Sequence, residues 1–276
     1  MTYRSLLVYV DRGLESDQRV ALACELACRL DARLIGISGS APEPGLGDPY
    51  MGGAMLGESL TLLRDCAETD VKEARARFAE LTDFCAERTE WRGQVGYPAE
   101  LVARAARAAD LVIVGRTHAG APWHNLDPAD ALMSVGRPVL VTPPQPAHAP
   151  ADAPAIIAWK NTPEAQRAVV AALPFLRSAS AVHVLELCEP DNLAEATAGV
   201  DDVVGYLERH GVSATAAARA RKPRSTAAQI LEFAQVARAG LIVAGGYGHA
   251  RLREWALGGV TKALIAECPV CLLLTH

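Results

Sequence analysis

The two halves of this 276-residue chain repeat one pattern of apolar and alanine-rich segments around a proline-rich bridge. The bridge, 143–154, reads PPQPAHAPADAP, with five prolines in twelve residues. Proline locks φ and lacks a backbone donor, so the stretch is neither helix nor central strand. It reads as an extended linker. On each side an apolar strand comes first: LLVYV (6–10) and AIIAW (155–159). An alanine-rich helical stretch follows: DQRVALACELACRL (17–30) and PEAQRAVVAALPFL (163–176). Then come a second strand (32–38 and 181–187) and a variable helical region (57–89 and 191–210). A third strand follows, WRGQV (91–95) and SATAAA (213–218). The closing helix–strand–loop–helix–strand sections, 99–142 and 225–274, match most closely, and their last strands open at Pro138 and Pro269.

Each copy therefore reads β-α-β-α-β-α-β-α-β. Such alternation predicts a doubly wound α/β fold, here two tandem five-stranded parallel sheets flanked by helices. The expected domains are 1–143 and 155–276, joined by a linker at 144–154. Aromatics make up only 5% of the chain, so the cores must be aliphatic. In sheets of this kind ligands bind beyond the carboxyl ends of the strands, at the topological switch point.

The net charge of −5 argues against general nucleic-acid binding. No apolar run approaches the ~18 residues of a membrane span, and no targeting segment is visible at Met1–Asp11. The seven cysteines are odd in number and scattered, which fits reduced thiols in a cytoplasmic protein.

The loop after the fourth strand of the second copy concentrates glycine. It opens Gly245, Gly246, Tyr247, Gly248 and continues through His249, Arg251 and Arg253 to Gly258 and Gly259. A helix with Val260 and Thr261 in its first turn follows. Glycine permits close backbone approach, so loop N–H groups can face phosphate oxygens. The free N–H groups at the start of the next helix add to such a site. The alternative is that the glycines only make tight turns while the arginines face solvent.

The arrangement G-x-x-G, nine residues, then G followed by Ser or Thr resembles the nucleotide signature of the universal stress protein family. Gly245 and Gly248 supply the first pair, and Gly258 and Gly259 follow the nine-residue gap. The ending CPVCLLL (268–274) resembles that family's last strand, and AWKNTPEA (158–165) its V-D-G-S segment after strand one. The resemblance covers nearly the whole chain, as two domains in tandem. It implies a Rossmann-like fold of the adenine nucleotide alpha hydrolase type and a stress-response regulatory role. It also implies ATP or ADP as ligand, with Mg2+ as its companion. Carried over residue by residue, Gly245, Gly248, Gly258 and Gly259 take the phosphates, and Trp159, Lys160 and Asn161 stand at the end of strand one. The resemblance further implies that strands 269–274 and 138–142 lie side by side as an intramolecular pseudo-dimer; a homodimer and an unknown protein partner stay open.

Two positions depart from the family pattern. Gly259 stands where Ser or Thr is usual, and Thr261 is offset to another helix face. Lys160 stands where the aspartate is usual and cannot hold a metal ion. In the first copy only Gly115 of the signature survives, with His118 and the pair Asp127–Pro128 in place of glycines. Asp127 reads as a helix cap that would repel phosphate, although Asp11 keeps the strand-one aspartate. Little or no nucleotide binding is expected there.

Two other classes of function stay open. One is a slow ATPase, for which Glu254 is the nearest carboxylate to the loop. The other is an interaction scaffold without nucleotide. Cys268–Cys271 spells C-x-x-C but enters a strand, which disfavours redox or metal chemistry. Cys24 and Cys28 read as core, and His118, His124, Asp127 and Asp130 as a polar loop and cap. RARKPR (219–224) reads as a solvated edge, with use by a phosphate or an acidic partner left open because it lies on the side where ligands bind.

Overall fold

Both faces of the expected sheets are covered by helices, so their strands should be continuous apolar runs rather than alternating ones. The computed structural model describes residues 2–42, 53–116, 126–145, 152–246 and 259–276, and shows such runs. Leu6, Leu7, Leu111, Ile113, Ile156, Ile242 and Leu273 are wholly buried. Each such side chain contributes about 1.5–3 kcal/mol relative to exposure.

The chain forms two compact units: Arg4–Gly136, and Met1–Tyr3 with Arg137–His276. The N-terminal unit contains β1 (Ser5–Tyr9), α1 (Leu14–Leu30), β2 (Arg33–Ile37), β3 (Gly39–Ser40), α2 (Gly53–Thr82), β4 (Thr89–Trp91) and β5 (Gln94–Val95). It continues with α3 (Pro98–Ala105), β6 (Leu111–Gly115) and α4 (Pro128–Ser134). Its strands lie in the order β6-β1-β2-β4, all parallel. β1 leads to β2 on one side and has β6 on the other, so the switch point lies between β1 and β6.

The C-terminal unit contains β7 (Val139–Thr142), β8 (Ala155–Ala158), α5 (Pro163–Leu176), β9 (Val182–Cys188), α6 (Leu193–Arg209) and β10 (Thr215–Ala220). It ends with α7 (Thr226–Val236), β11 (Leu241–Gly245), α8 (Gly259–Glu267) and β12 (Cys271–Thr275). The order β10-β9-β8-β11-β12 is parallel, and β7 runs antiparallel beside β12, with Leu273 opposite Leu140. Here the switch point lies between β8 and β11. Tyr3 belongs to this unit: its hydroxyl donates to the Ala171 carbonyl at 2.5 Å and its ring meets Phe175 edge-on.

Local sequence explains the helices. In α5 the buried residues Ala165, Ala168, Val169, Ala172, Leu173 and Leu176 follow the helical i, i+3, i+4 spacing. Thr162 caps it by accepting from the Ala165 N–H at 3.3 Å, and Pro163 occupies the first turn. Ser225 caps α7 in the same way, accepting from Ala228 at 3.1 Å. At the other end of α1, Asp31 closes the helix in the left-handed conformation with φ 51°. Across the described residues, α1 packs on α2, α3 on α4 and α7 on α8. No helix of the described residues is long and apolar enough to cross a membrane.

Three expectations need correction. The third strand of the first copy, 91–95, is broken: β4 pairs with β2, whereas β5 pairs with β3. Gly93 allows the break, because a Cβ there would meet the Trp91 ring at 2.4 Å. The place of that third strand in the main sheet is kept by β4 alone, and the fifth expected strand of the first copy forms as β7. Pro269 does not open the last strand; β12 begins two residues later, at Cys271. Cys28 is exposed, so only Cys24 of that pair lies in the core.

Candidate nucleotide site

The carboxyl ends of β8 and β9 bring together residues that are far apart in the chain. β8 and β9 pair in parallel, with Ala158 opposite Leu185. One residue on, the Trp159 N–H donates to the Leu185 carbonyl at 2.8 Å. That bond sets Trp159 beside Glu186, which itself pairs with Ala218 of β10. Gly199 of α6 lies over both: a Cβ built there would sit 3.8 Å from Glu186 Oε2 and 4.0 Å from Trp159 Nε1. The glycine thus leaves a gap faced by an indole donor and a carboxylate acceptor. The buried Trp159 Nε1 has no hydrogen-bond partner among the described residues. The Glu186 carboxylate likewise forms no hydrogen bond or ion pair among them. Burial first, then the Glu195 charge, raise the Glu186 pKa, and Lys160 pulls it back.

Lys160 and Asn161 are exposed, the latter accepting from Gln166 at 3.4 Å. Gly245 ends β11 and is held against the start of α5. A Cβ there would meet Ala165 N at 2.6 Å and the Glu164 carbon atoms at 2.9 Å. Its lack of a side chain is thus explained by packing. α8 starts at Gly259, where a Cβ would meet none of the described residues within 4 Å, and its first turn carries no acidic residue. Val260 is exposed, whereas Thr261 is buried. Gly248, His249, Arg251, Arg253, Glu254 and Gly258 lie outside the described residues. So do His118 and His124 of the first copy.

The N-terminal unit fills the matching position with its own groups. Arg19 projects from α1, its Nε donating to the Tyr9 carbonyl at 2.8 Å and its Nη2 lying 3.0 Å from Asp11 Oδ2. The same guanidinium lies beside Gly115, at the end of β6, so closely that a Cβ there would be 1.9 Å from Nη1. Counting from the paired strand ends, the C-terminal counterpart of Arg19 is Ala168. Ser16 Oγ accepts from the Asp11 N–H at 3.0 Å, and Arg12 pairs with Asp70 and with Glu73. Asp127 caps α4, accepting from the Ala129 N–H at 2.8 Å. Every ligand-type group just named already has a protein partner.

Sequence reading missed Glu186, Gly199 and Arg19. Arg19 was detectable, because it falls on the buried stripe of α1 with Ser16, Val20, Ala23 and Ala27. Glu186 interrupts an otherwise apolar strand, VHVLELC. Gly199 carried no local signal, since its role depends on which strands α6 covers.

The remaining candidates have structural explanations. Arg219 lies over the Phe233 ring at 4.6 Å, Arg221 pairs with Glu189 and Arg224 with Glu232. Burial, then the neighbouring Cys268, push the Cys271 thiol up to about 12, which makes it a poor nucleophile at neutral pH. Among the described residues no group of three His, Cys, Asp or Glu side chains is placed to hold a metal ion.

No protein-family model and no curated protein matches the chain. Solved structures do. A universal stress protein from Archaeoglobus fulgidus DSM 4304 aligns over 99% of this chain and 98% of its own, with TM-score 0.72 and 13% identity. A functionally unknown protein from Pseudomonas aeruginosa PAO1 aligns over 99% and 92%, with TM-score 0.58 and 14% identity. At such identities the likeness speaks for architecture alone. Over essentially its whole length, this chain has the fold of the universal stress proteins.

Proposed function

We propose that this chain is a tandem member of the universal stress protein family that binds ATP or ADP through its C-terminal copy and acts as a stress-response regulator. One contrast carries the reading. At the switch point of the N-terminal unit the Arg19 guanidinium is held by Asp11 and the Tyr9 carbonyl, whereas beside that of the C-terminal unit the buried Trp159 indole N–H and the Glu186 carboxylate face a gap without a hydrogen-bond partner among the described residues. A buried polar group without a partner costs about 1–3 kcal/mol, which a bound ligand would recover.

The residues present suit an adenine nucleotide. Trp159 offers a donor and Glu186 an acceptor to the edge of a base, and an adenine presents both kinds of group. The start of α8 would offer its first N–H groups to phosphate, with none of the described residues close to Gly259 and no carboxylate in the first turn to compete. Gly248, His249, Arg251 and Gly258 would complete the phosphate side. Lys160 would add positive charge there. It cannot hold Mg2+, so Mg2+ would travel on the nucleotide's own phosphates.

Calorimetric titration of the full chain with ATP and ADP tests the reading. Saturable binding that falls at least tenfold in Trp159→Phe, and is lost in Gly248→Asp, is expected. Equal, negligible heats for wild type and both variants would overturn it and favour a scaffold that takes no nucleotide. The packing role of Gly245 is the observation on that side.

A further inference from the structure

The α1 helix presents Asp17, Cys24, Cys28 and Asp31 at spacings of seven, four and three residues, which sets them on one stripe. Two ion pairs lock the following helical segment along that stripe. Arg77 grips Asp17 with Nη2 to Oδ2 at 2.7 Å and Nε to Oδ1 at 2.9 Å. Arg88 pairs with Asp31. Residues 77–88 therefore run parallel to residues 17–31, which brings Cys85 level with the interval between Cys24 and Cys28. Cys85 lies in the 3-10 turn Asp83–Arg88, where its backbone departs from helical geometry (φ −133°, ψ 25°). Cys24 and Cys85 face each other across these segments, close enough for the two thiols to perturb one another. Cys24 is buried, Cys85 half-buried and Cys28 exposed.

We propose that Cys24 and Cys85 are a peroxide-responsive thiol pair, whose disulfide ties α1 to the turn at 83–88. The two thiols stand on facing segments, and the flanking ion pairs hold those segments together in the reduced state. Cys85, the more accessible of the two, reacts first. Its thiolate attacks one oxygen of hydrogen peroxide, the O–O bond breaks, and the released hydroxide takes a proton to leave as water. Cys85 is then a sulfenic acid. The deprotonated Cys24 sulfur attacks the Cys85 sulfur, the S–S bond forms, and the second oxygen leaves as water. Two thiols are oxidised by two electrons and one peroxide is reduced to two waters. Burial pushes the Cys24 thiol up to about 12 and raises that of Cys85. Thiolate is therefore scarce at neutral pH, and the pair responds to sustained rather than trace oxidant.

The test uses the full chain, treated with excess hydrogen peroxide, alkylated and digested without reductant for peptide mass mapping. A Cys24–Cys85 linked peptide is expected in wild type and in Cys28→Ser. It should be absent from Cys85→Ser and from reductant-treated samples. Its formation should quicken about tenfold per pH unit between 7 and 9, following the thiolate fraction. Linkage of Cys85 to Cys28 would overturn the pairing. So would free Cys24 and Cys85 under conditions that oxidise the exposed Cys66.

Discussion

Arg19 and Asp11 form an ion pair at 3.0 Å in which the arginine side chain is only 4% exposed. Its guanidinium also takes up the space left by Gly115, so the N-terminal crevice is occupied by a cation of the protein itself. Removing one member of a buried pair leaves the other charge uncompensated. Arg19→Ala should lower unfolding free energy by about 2–4 kcal/mol, the lower end reflecting the partial exposure of Asp11. Chemical denaturation checks this. A change below about 0.5 kcal/mol would show that the pair is not formed in solution.

Gly115 and Gly245 occupy equivalent strand ends but differ in what opposes them. At Gly245 the obstacle is backbone, Ala165 N at 2.6 Å, which cannot yield without moving α5. At Gly115 it is the tip of the Arg19 side chain. Gly245→Ala should therefore cost about 1–3 kcal/mol through strain alone. In Gly115→Ala the loss should come through the Arg19 contacts, so Gly115→Ala combined with Arg19→Ala should cost less than the sum of the two single changes. Additive losses would break the link between these two residues.

Glu186 makes stability depend on pH in an unusual sense for a carboxylate. Burial raises its folded-state pKa above the ordinary 4.5, so the folded protein holds that proton more tightly than the unfolded chain. Stability from this group therefore falls as pH rises from about 4.5 through the raised value, and the penalty persists at neutral pH. Glu186→Gln should be the more stable protein at pH 7 and lose that advantage near pH 4. Melting curves across pH 4–8 decide it; a variant less stable than wild type at pH 7 would contradict the sign.

Thiol reactivity should follow burial. Cys28 and Cys66 are exposed and Cys85 half-buried, while Cys24, Cys188, Cys268 and Cys271 are buried. Titration with an aromatic disulfide reagent should show two fast thiols and a slower third, with the other four appearing only on unfolding. Prompt reaction of Cys268 or Cys271 would reopen a redox role for the C-x-x-C segment.

Trp159 should report ligand directly. If its indole N–H donates to a bound nucleotide, Trp159→Phe loses about 1.4 kcal/mol of binding, a tenfold rise in Kd. Glu186→Gln should weaken binding of adenine nucleotides more than that of inorganic phosphate if, as proposed, Glu186 meets the base rather than the phosphates. Parallel titrations with the two ligands read the difference.

The alternation of strands and helices, the doubly wound class and the positions of most elements were legible from the chain alone. These depend on local periodicity, on caps such as Thr162, Ser225 and Asp127, and on apolar strands that must be buried on both faces. What neighbours what across the sheet was decided elsewhere. That Trp159 stands beside Glu186, that Gly199 lets α6 lie close over both, and that Arg19 reaches Asp11 and Gly115 follow from strand order and register. The break between β4 and β5 likewise depends on the Trp91 ring folding over Gly93. Periodicity reports which side of an element is buried; it carries no information about the partner on the other side, because that partner is chosen by packing among segments distant in the chain.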